Sequence, residues 1–209
     1  MAETRELMLA RIREAIAVQH GPELPLPTDY ERQGSLSAEA RVETLLERLR
    51  EYDAQIYEAS SENVAATVTN LCRQRQVKSL VVPEGFPAEW LPAFGGMIAE
   101  GELDRKPLSE IEAVLTTCTV AIAHTGSLVL RHGPGEGTRR LTLLPDLHIC
   151  IVREEQVVET VPEAFDALRQ YVTAPITFIS GPSATADIEM TRIRGVHGPR
   201  YLDVVLVRG

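Results

Sequence analysis

Apolar residues at helical spacing predict two helices near the start of the chain. The first should run from Glu3 to Val18, with an apolar stripe of Met8, Ile12, Ala15 and Ile16. The second should run from about Ser37, whose hydroxyl can cap it, to Tyr52. Between them, residues 20–36 hold three prolines and two glycines, a composition that favours an extended linker or a wrapping arm. We therefore expect residues 1–53 to form an N-terminal helical extension with a proline-rich arm.

From residue 54 onward, short apolar runs alternate with helical patterns. Strands are predicted at QIYEA, KSLVVPE, EAVLTTC, GSLVL, LHICIV, ITFIS and YLDVVLV. Ser60 or Ser61 can cap a helix after the first strand, and Thr160 with Glu163 forms a capping-box pattern before PEAFDALRQY. This alternation predicts one doubly wound α/β domain over residues 54–209, with a mostly parallel sheet and flanking helices. Ligands in such domains usually bind outside the carboxyl ends of the strands.

The charge of the chain limits its partners. The apolar fraction of 44% and the charged fraction of 24% are typical of a globular protein, which excludes the disordered and fibrous classes. A formal net charge of −9 repels nucleic acid and anionic lipid, so we expect neither nucleic acid nor membrane as a partner. The amphipathic N-terminus does not resemble a signal peptide, and no apolar run approaches the roughly 20 residues of a spanning helix. A cytoplasmic location is the resulting expectation.

Three cysteines, Cys72, Cys118 and Cys150, lie far apart inside apolar segments. Their spacing offers neither a disulfide framework nor the close pairs that hold zinc or iron–sulfur clusters. We expect them to pack in the core rather than act as catalytic thiols, and we expect no metal site.

Two central segments carry polar groups that a plain core does not require. In AHTGSLVL, Thr125, Gly126 and Ser127 can cradle an anion such as a carboxylate or a phosphate, or can simply form a tight turn. In RHGPGEGTRR, Arg139 or its neighbour Arg140 can clamp a carboxylate, or one of them can pair with Glu136 at the surface. His148, which opens the LHICIV strand, is expected to be a hydrogen-bonded core residue.

Two C-terminal loops are the richest in candidate chemistry. SGPSATADIE follows the ITFIS strand, and it either forms a binding loop at the carboxyl edge of the sheet or a capping turn. Its candidate groups are Ser180, Gly181, Ser183, Thr185, Asp187 and Glu189. GVHGPR precedes the last strand and offers His197, which titrates near neutrality, together with Gly198 and Arg200.

These segments, in this order, resemble the signature stretches of the LUD-domain family, lactate-utilisation protein C type. The resemblance is carried by AHTGSLVL, LPDLHICIV, SGPSATADIE and GVHGPRYLDVVLV. It implies a fold similar to that of ribose-5-phosphate isomerase, glucosamine-6-phosphate deaminase and the CoA transferases. It also implies oxidation of L-lactate to pyruvate together with partner proteins that carry the iron–sulfur clusters. One departure is Ala184, where the family pattern leads us to expect an arginine.

Three functional hypotheses follow. In the first, the chain is a subunit of a lactate-oxidising system that binds a small carboxylate or an anionic cofactor. Arg200 would then supply charge, and His197 or Glu189 would accept the hydroxyl proton. In the second, the chain is a non-catalytic assembly or regulatory protein, and its two C-terminal loops are structural caps. The third, an isomerase or CoA-transferase-like enzyme, rests on the fold alone.

Overall fold

The structure is a computed structural model that describes residues 2–17, 29–105, 108–185, 193–195 and 197–209. The chain divides into two compact units, Met1–Tyr30 and Glu31–Gly209. In the first unit, helix α1 (Ala2–Ala17) confirms the first predicted helix, and Met8, Ile12 and Ile16 are exposed on it. No described helix is long and apolar enough to cross a membrane.

Helix α2 (Ala38–Glu51) confirms the second predicted helix and its cap. The Ser37 hydroxyl accepts a hydrogen bond from the backbone N–H of Ala40 at 3.2 Å. Its apolar face is fully buried and consists of Val42, Leu45, Leu46 and Leu49. Because this face packs in the core of the second compact unit, α2 belongs to that unit. The predicted domain division after residue 53 stays a prediction.

The second unit is built around a main sheet of six parallel strands, which confirms the predicted mostly parallel α/β fold. Its members in chain order are β1 (Gln55–Ser60), β2 (Leu80–Val82), β3 (Met97–Ala99), β4 (Ala113–Thr117), β7 (Leu147–Arg153) and β12 (Tyr201–Arg208). The spatial order is β1-β12-β7-β4-β2-β3, so the last strand of the chain lies beside the first.

A second sheet contains four shorter strands in the order β8-β5-β6-β9. They are β5 (Val120–Ile122), β6 (Ser127–Leu130), β8 (Val157–Val158) and β9 (Thr177–Ile179). Strand β9 pairs antiparallel with β6, so the prediction that ITFIS ends at the carboxyl edge of the parallel sheet is wrong. An alternating or continuous apolar run fixes neither its partner strand nor its direction, because pairing is decided by distant parts of the chain. A small hairpin of β10 (Ala184–Thr185) and β11 (Ile193–Arg194) completes the strands.

The inner strands β2, β4, β7 and β12 of the main sheet are buried on both faces, which explains their unbroken apolar runs. Along β7, Ile149 and Ile151 pack on the side of helix α3 (Val64–Gln74), whereas Cys150 and Val152 face α2 and the second sheet. All three cysteines are buried, as predicted for core residues. Burial, reinforced by the negative charge of Asp203, raises the pKa of the Cys72 thiol to about 11.

The N-terminal caps predicted for helices α4 and α3 have different outcomes. Helix α4 (Val161–Leu168) has the predicted capping box, in which the Thr160 hydroxyl accepts from the N–H of Glu163 and the Glu163 carboxylate accepts from the N–H of Thr160. The predicted cap of α3 is wrong. The helix begins after Asn63, and the Ser60 hydroxyl accepts from the Asn63 side chain rather than from a helix N–H.

Candidate functional site

The two C-terminal loops and the loop before β7 surround a cavity of about 280 Å³. We call it the loop cavity, and its polar lining includes Arg139, His148, Ser180, Ser183 and His197. It lies where β9 ends and where β7 and β12 begin, since His148 and Leu202 are the second residues of those two strands. The loops therefore meet at the amino ends of the parallel strands, not at the carboxyl ends where we expected SGPSATADIE.

Backbone hydrogen bonds tie the two loops together. The N–H of Ser183 donates to the carbonyl of Pro199 at 2.8 Å, and the N–H of Gly195 donates to the carbonyl of Ser183 at 2.9 Å. The Ser183 hydroxyl also accepts from the N–H of His197 at 3.3 Å. The structure thus brings together the predicted residues Ser180, Gly181, Ser183, His197 and Gly198 around one cavity.

Arg139 supplies the positive charge of the loop cavity. Its guanidinium donates to the Thr142 hydroxyl at 3.3 Å, and that hydroxyl donates to the carbonyl of Arg139 at 3.1 Å. Within the described part of the chain, Arg139 forms no ion pair with a carboxylate. Since guanidinium groups bind carboxylates strongly, a guanidinium beside a cavity with no described carboxylate partner is suited to an anionic ligand.

His148 is a cavity residue that we did not include among the candidates. It is 1% exposed, and its Nε2 lies 2.8 Å from the Thr116 hydroxyl, which confirms the predicted hydrogen-bonded core histidine. Burial, together with the positive charge of Arg139, lowers the pKa of His148 to about 4. The imidazole is therefore neutral at pH 7. The sequence signal for this position is a polar residue at the start of an apolar strand. Nothing in the sequence shows that the amino end of β7 lies at a cavity.

The predicted anion-binding residues Thr125, Gly126 and Ser127 do not line the loop cavity. The Ser127 hydroxyl contacts the Ser180 hydroxyl at 2.7 Å and accepts from the Thr125 hydroxyl at 2.8 Å. Gly126 has a φ of 59°, and a Cβ there would lie 2.7 Å from Cβ of Arg48. Gly126 therefore packs against the C-terminal end of α2, and of these four residues only Ser180 lines the loop cavity.

Arg200 does not line the loop cavity. Its side chain is 56% exposed and lies 3.6 Å from the carboxylate of Asp146. The hypothesis that Arg200 supplies the charge for a ligand stays a prediction, while Arg139 is the cation that the structure places at the cavity.

Some candidates lie outside what the structure describes. Asp187 and Glu189 fall in the gap after residue 185, and for Thr185 the structure describes the backbone in β10 but not the side chain. The roles predicted for these residues stay predictions.

The glycine-rich loop RHGPGEGTRR is held by hydrogen bonds to a buried carboxylate, not by an ion pair at the surface. Glu136 is buried and accepts from the Thr119 hydroxyl at 2.5 Å and from the N–H of Arg131 at 2.6 Å. The alternative in which Glu136 pairs with an arginine at the surface is therefore wrong. No group of three or more metal-binding side chains is found in the described ranges.

Comparisons with known proteins agree with the motifs. The family model described as the LUD domain matches residues 42–207. Lactate utilization protein C from Deinococcus radiodurans is 37% identical over 209 residues, covering 99% of this chain and 96% of that protein. Lactate utilization protein C from Bacillus subtilis is 34% identical over 137 residues, covering 63% of this chain and 56% of that protein.

A solved structure is similar as well. The crystal structure of a DUF162 family protein from Deinococcus radiodurans superimposes with a TM-score of 0.72 at 35% identity. The match covers 83% of this chain and 99% of that chain. With a family model that spans most of the compact α/β unit and a relative that spans nearly the whole chain, this protein belongs to the LUD domain family.

Proposed function

We propose that this chain is a cytoplasmic component of an L-lactate-oxidising system and that its loop cavity binds a small carboxylate. In this proposal the chain acts with partner proteins, and the iron–sulfur clusters that accept the electrons belong to those partners. The observation that carries the ligand assignment is Arg139, a guanidinium without a described carboxylate partner at the edge of the cavity.

The names of the relatives support the pathway. Two relatives that share 37% and 34% identity with this chain are called lactate utilization protein C. A role of this chain in lactate utilisation is the simplest function consistent with membership of the same family.

The groups around the cavity fit the anion of a hydroxy acid. A carboxylate can accept two parallel hydrogen bonds from Arg139. The neutral imidazole of His148 adds no second positive charge at pH 7, so the cavity is suited to a single negative charge. Oxidation of lactate to pyruvate releases two protons and two electrons. His197 is the described candidate that can take the proton of the hydroxyl group. The proton from the C–H bond would be released to solvent, and the two electrons would pass to the iron–sulfur clusters of the partner proteins.

Isothermal titration of the purified protein with L-lactate, pyruvate and sugar phosphates tests the ligand. We expect L-lactate or pyruvate to bind and Arg139→Gln to weaken the affinity by roughly 10- to 100-fold, because it removes a charge-assisted hydrogen bond worth about 1.5–3 kcal/mol. The matched control is Arg140→Gln, since Arg140 is the adjacent arginine and does not line the cavity. Equal losses in both variants, or no binding of any ligand with the partner proteins present, would contradict the proposal.

The hydrogen bonds between Ser183, Gly195 and Pro199 favour a second candidate, a non-catalytic assembly protein in which the two loops are structural. Reconstitution of lactate oxidation from the separate proteins distinguishes the two. An assembly protein tolerates Arg139→Gln with unchanged activity as long as the complex forms, whereas a ligand-binding subunit loses activity within an intact complex.

A further inference from the structure

A groove at the edge of the main sheet has no role in the proposed function. Its volume is about 640 Å³, and it lies over strand β3, the last strand at that edge. We call it the β3 groove. In parallel α/β sheets both faces are normally covered by helices, yet the face of β3 that carries Met97 and Ala99 is exposed.

The floor of the β3 groove continues the apolar core. Leu80 pairs with Met97 and Val82 pairs with Ala99, so the side chains of β3 extend the same layer as the buried side chains of β2. Phe86 and Leu91 also line the groove. Met97 is 39% exposed, although its neighbours toward the centre of the sheet are buried. The apolar layer is thus left uncovered over its last strand.

The rim of the β3 groove is acidic. Glu84, Glu100 and Glu102 line it, and no lysine, arginine or histidine appears among its lining residues. The N–H of Glu84 donates to the Glu100 carboxylate at 3.3 Å. None of the three carboxylates pairs with a cation whose side chain the structure describes. Three negative charges without a described cationic partner, around an apolar floor, select a ligand with the opposite charge.

We propose that the β3 groove is the docking surface for an amphipathic helix of a partner protein that carries lysine or arginine beside its apolar stripe. The apolar stripe would cover Met97 and Ala99 in the way that helices cover the rest of the sheet. The basic side chains would meet Glu84, Glu100 and Glu102. The charges disfavour an acidic segment or a nucleic acid at the same place.

The position of the β3 groove makes this interaction independent of the carboxylate site. Glu84 and Glu100 follow β2 and β3, so the groove lies toward the carboxyl ends of the parallel strands, whereas the loop cavity lies at their amino ends. A partner helix in the groove leaves the loop cavity accessible. The test below therefore does not depend on whether the cavity binds lactate.

The protein contains an intrinsic fluorescent probe for binding at the β3 groove. Trp90 is the single tryptophan of the chain, and it lies directly before the groove residue Leu91. The probe is a synthetic amphipathic peptide of about 15 residues, built from leucine and lysine and long enough to form a helix. We expect it to change Trp90 fluorescence in a saturable way and to gain helical circular dichroism. A peptide with glutamate in place of lysine should do neither.

Two variants with matched controls locate the binding. The triple variant Glu84→Gln/Glu100→Gln/Glu102→Gln should weaken the affinity roughly tenfold, because exposed charge pairs contribute about 0.2–1 kcal/mol each. Its control, Glu31→Gln/Glu47→Gln/Glu62→Gln, changes the net charge equally at exposed positions outside the groove and should stay within about twofold. Met97→Asp should abolish binding, whereas Leu144→Asp, at another exposed apolar residue, should not.

Three results would overturn the proposal. Equal weakening by both triple variants would mean attraction to the overall negative charge. Binding that survives Met97→Asp would place the peptide elsewhere. Binding without a gain in helicity would mean that an extended segment pairs with the edge of β3 instead.

Discussion

At the scale of single residues, burial decides which side chains can carry charge. His148 and Asp203 are both almost completely buried, and they differ in the partner that the fold provides. His148 has a hydroxyl partner and stays neutral, whereas Asp203 has the guanidinium of Arg75. Each arrangement has a consequence for stability that can be measured.

The low pKa of His148 predicts a loss of stability in mild acid. The pKa of His148 is about 4 in the folded chain, against a usual value of 6.5. Between pH 6.5 and pH 4, this residue therefore binds a proton in the unfolded chain but not in the folded chain. Stability therefore falls as the pH falls through this window, by about 2 kcal/mol between pH 7 and pH 5 from this residue. Urea unfolding at both pH values should show a smaller difference in stability for His148→Gln than for the unchanged protein. A native-like pH dependence in His148→Gln would contradict the prediction.

The ion pair between Arg75 and Asp203 predicts a large cost when it is broken. Arg75 donates through Nε at 3.0 Å and through Nη2 at 2.6 Å to the buried carboxylate of strand β12. Burial raises the pKa of Asp203, and Arg75 opposes that rise. Arg75→Gln leaves the carboxylate without its charge partner and should lower the free energy of unfolding by about 3 kcal/mol or more. Arg73→Gln, at an exposed position in the last turn of α3, which ends directly before the C-cap residue Arg75, should cost less than about 0.5 kcal/mol. Similar costs for both variants would show that the pair does not stabilise the fold.

At the scale of secondary-structure elements, the C-terminal end of helix α2 packs against two loops, one of which lines the loop cavity. Its C-terminal end lies against Gly126 and Gly181, which have φ values of 59° and 87°. A Cβ at Gly181 would lie 2.5 Å from Cβ of Tyr52, so neither loop position accepts a side chain without displacing the helix. The glycines that suggested a ligand cradle in the sequence thus have a packing role against α2.

This packing predicts that Gly126→Ala destabilises the protein by roughly 2 kcal/mol, because it adds steric overlap with Arg48 to an unfavourable positive φ. Gly95→Ala is the matched control, since a Cβ there has no atom within 4 Å. It should be neutral or slightly stabilising. Thermal and urea unfolding of the two variants measure the difference, and equal stability would rule out the packing role.

At the scale of the whole molecule, the compact α/β unit contains every cluster of buried apolar residues that the structure describes. The loop cavity lies at the amino ends of the inner strands β7 and β12, whereas the β3 groove lies at an edge of the main sheet, toward the carboxyl ends. This separation would allow a small ligand and a protein partner to bind at the same time. Both proposals require the compact unit to fold as one body with α2 in place.

The unit boundary predicts the outcome of two truncations. Residues 31–209 should fold cooperatively, because they contain the complete core. Residues 54–209 should not fold stably, since they lack the four buried residues of α2. Burying such side chains contributes about 1.5–3 kcal/mol each, and the sum is comparable to the whole stability of a domain. Circular dichroism and urea unfolding measure whether each fragment folds. A stable 54–209 fragment would support the domain division after residue 53.

Much of the local structure could be predicted from the sequence. The Ser37 cap, the Thr160–Glu163 capping box and the apolar runs of β4, β7 and β12 depend on residues close together in the chain, and all of them are confirmed. Strand β3 was missed, because three residues carry too little pattern to distinguish a strand from a loop.

The arrangement of the candidate site could be predicted only in part. The polar, glycine-rich composition of SGPSATADIE and GVHGPR predicted that both are functional loops. The structure places Ser183 and His197, one from each loop, at the same cavity. The sequence could not show that Arg139 rather than Arg200 lines the cavity, because that depends on how distant parts of the chain pack together and not on local spacing.

The sequence by itself determined the family, the starts of α2 and α4 and the apolar segments that form the inner strands of the main sheet, since these depend on local residue order. Only the tertiary structure decided that ITFIS joins a second, antiparallel sheet and that the loops meet at the amino ends of the parallel strands. It also decided that His148 lines a cavity and that the face of β3 is uncovered. The physical reason is that strand pairing, burial and charge neighbours are contacts between residues far apart in the chain, and no local pattern encodes them.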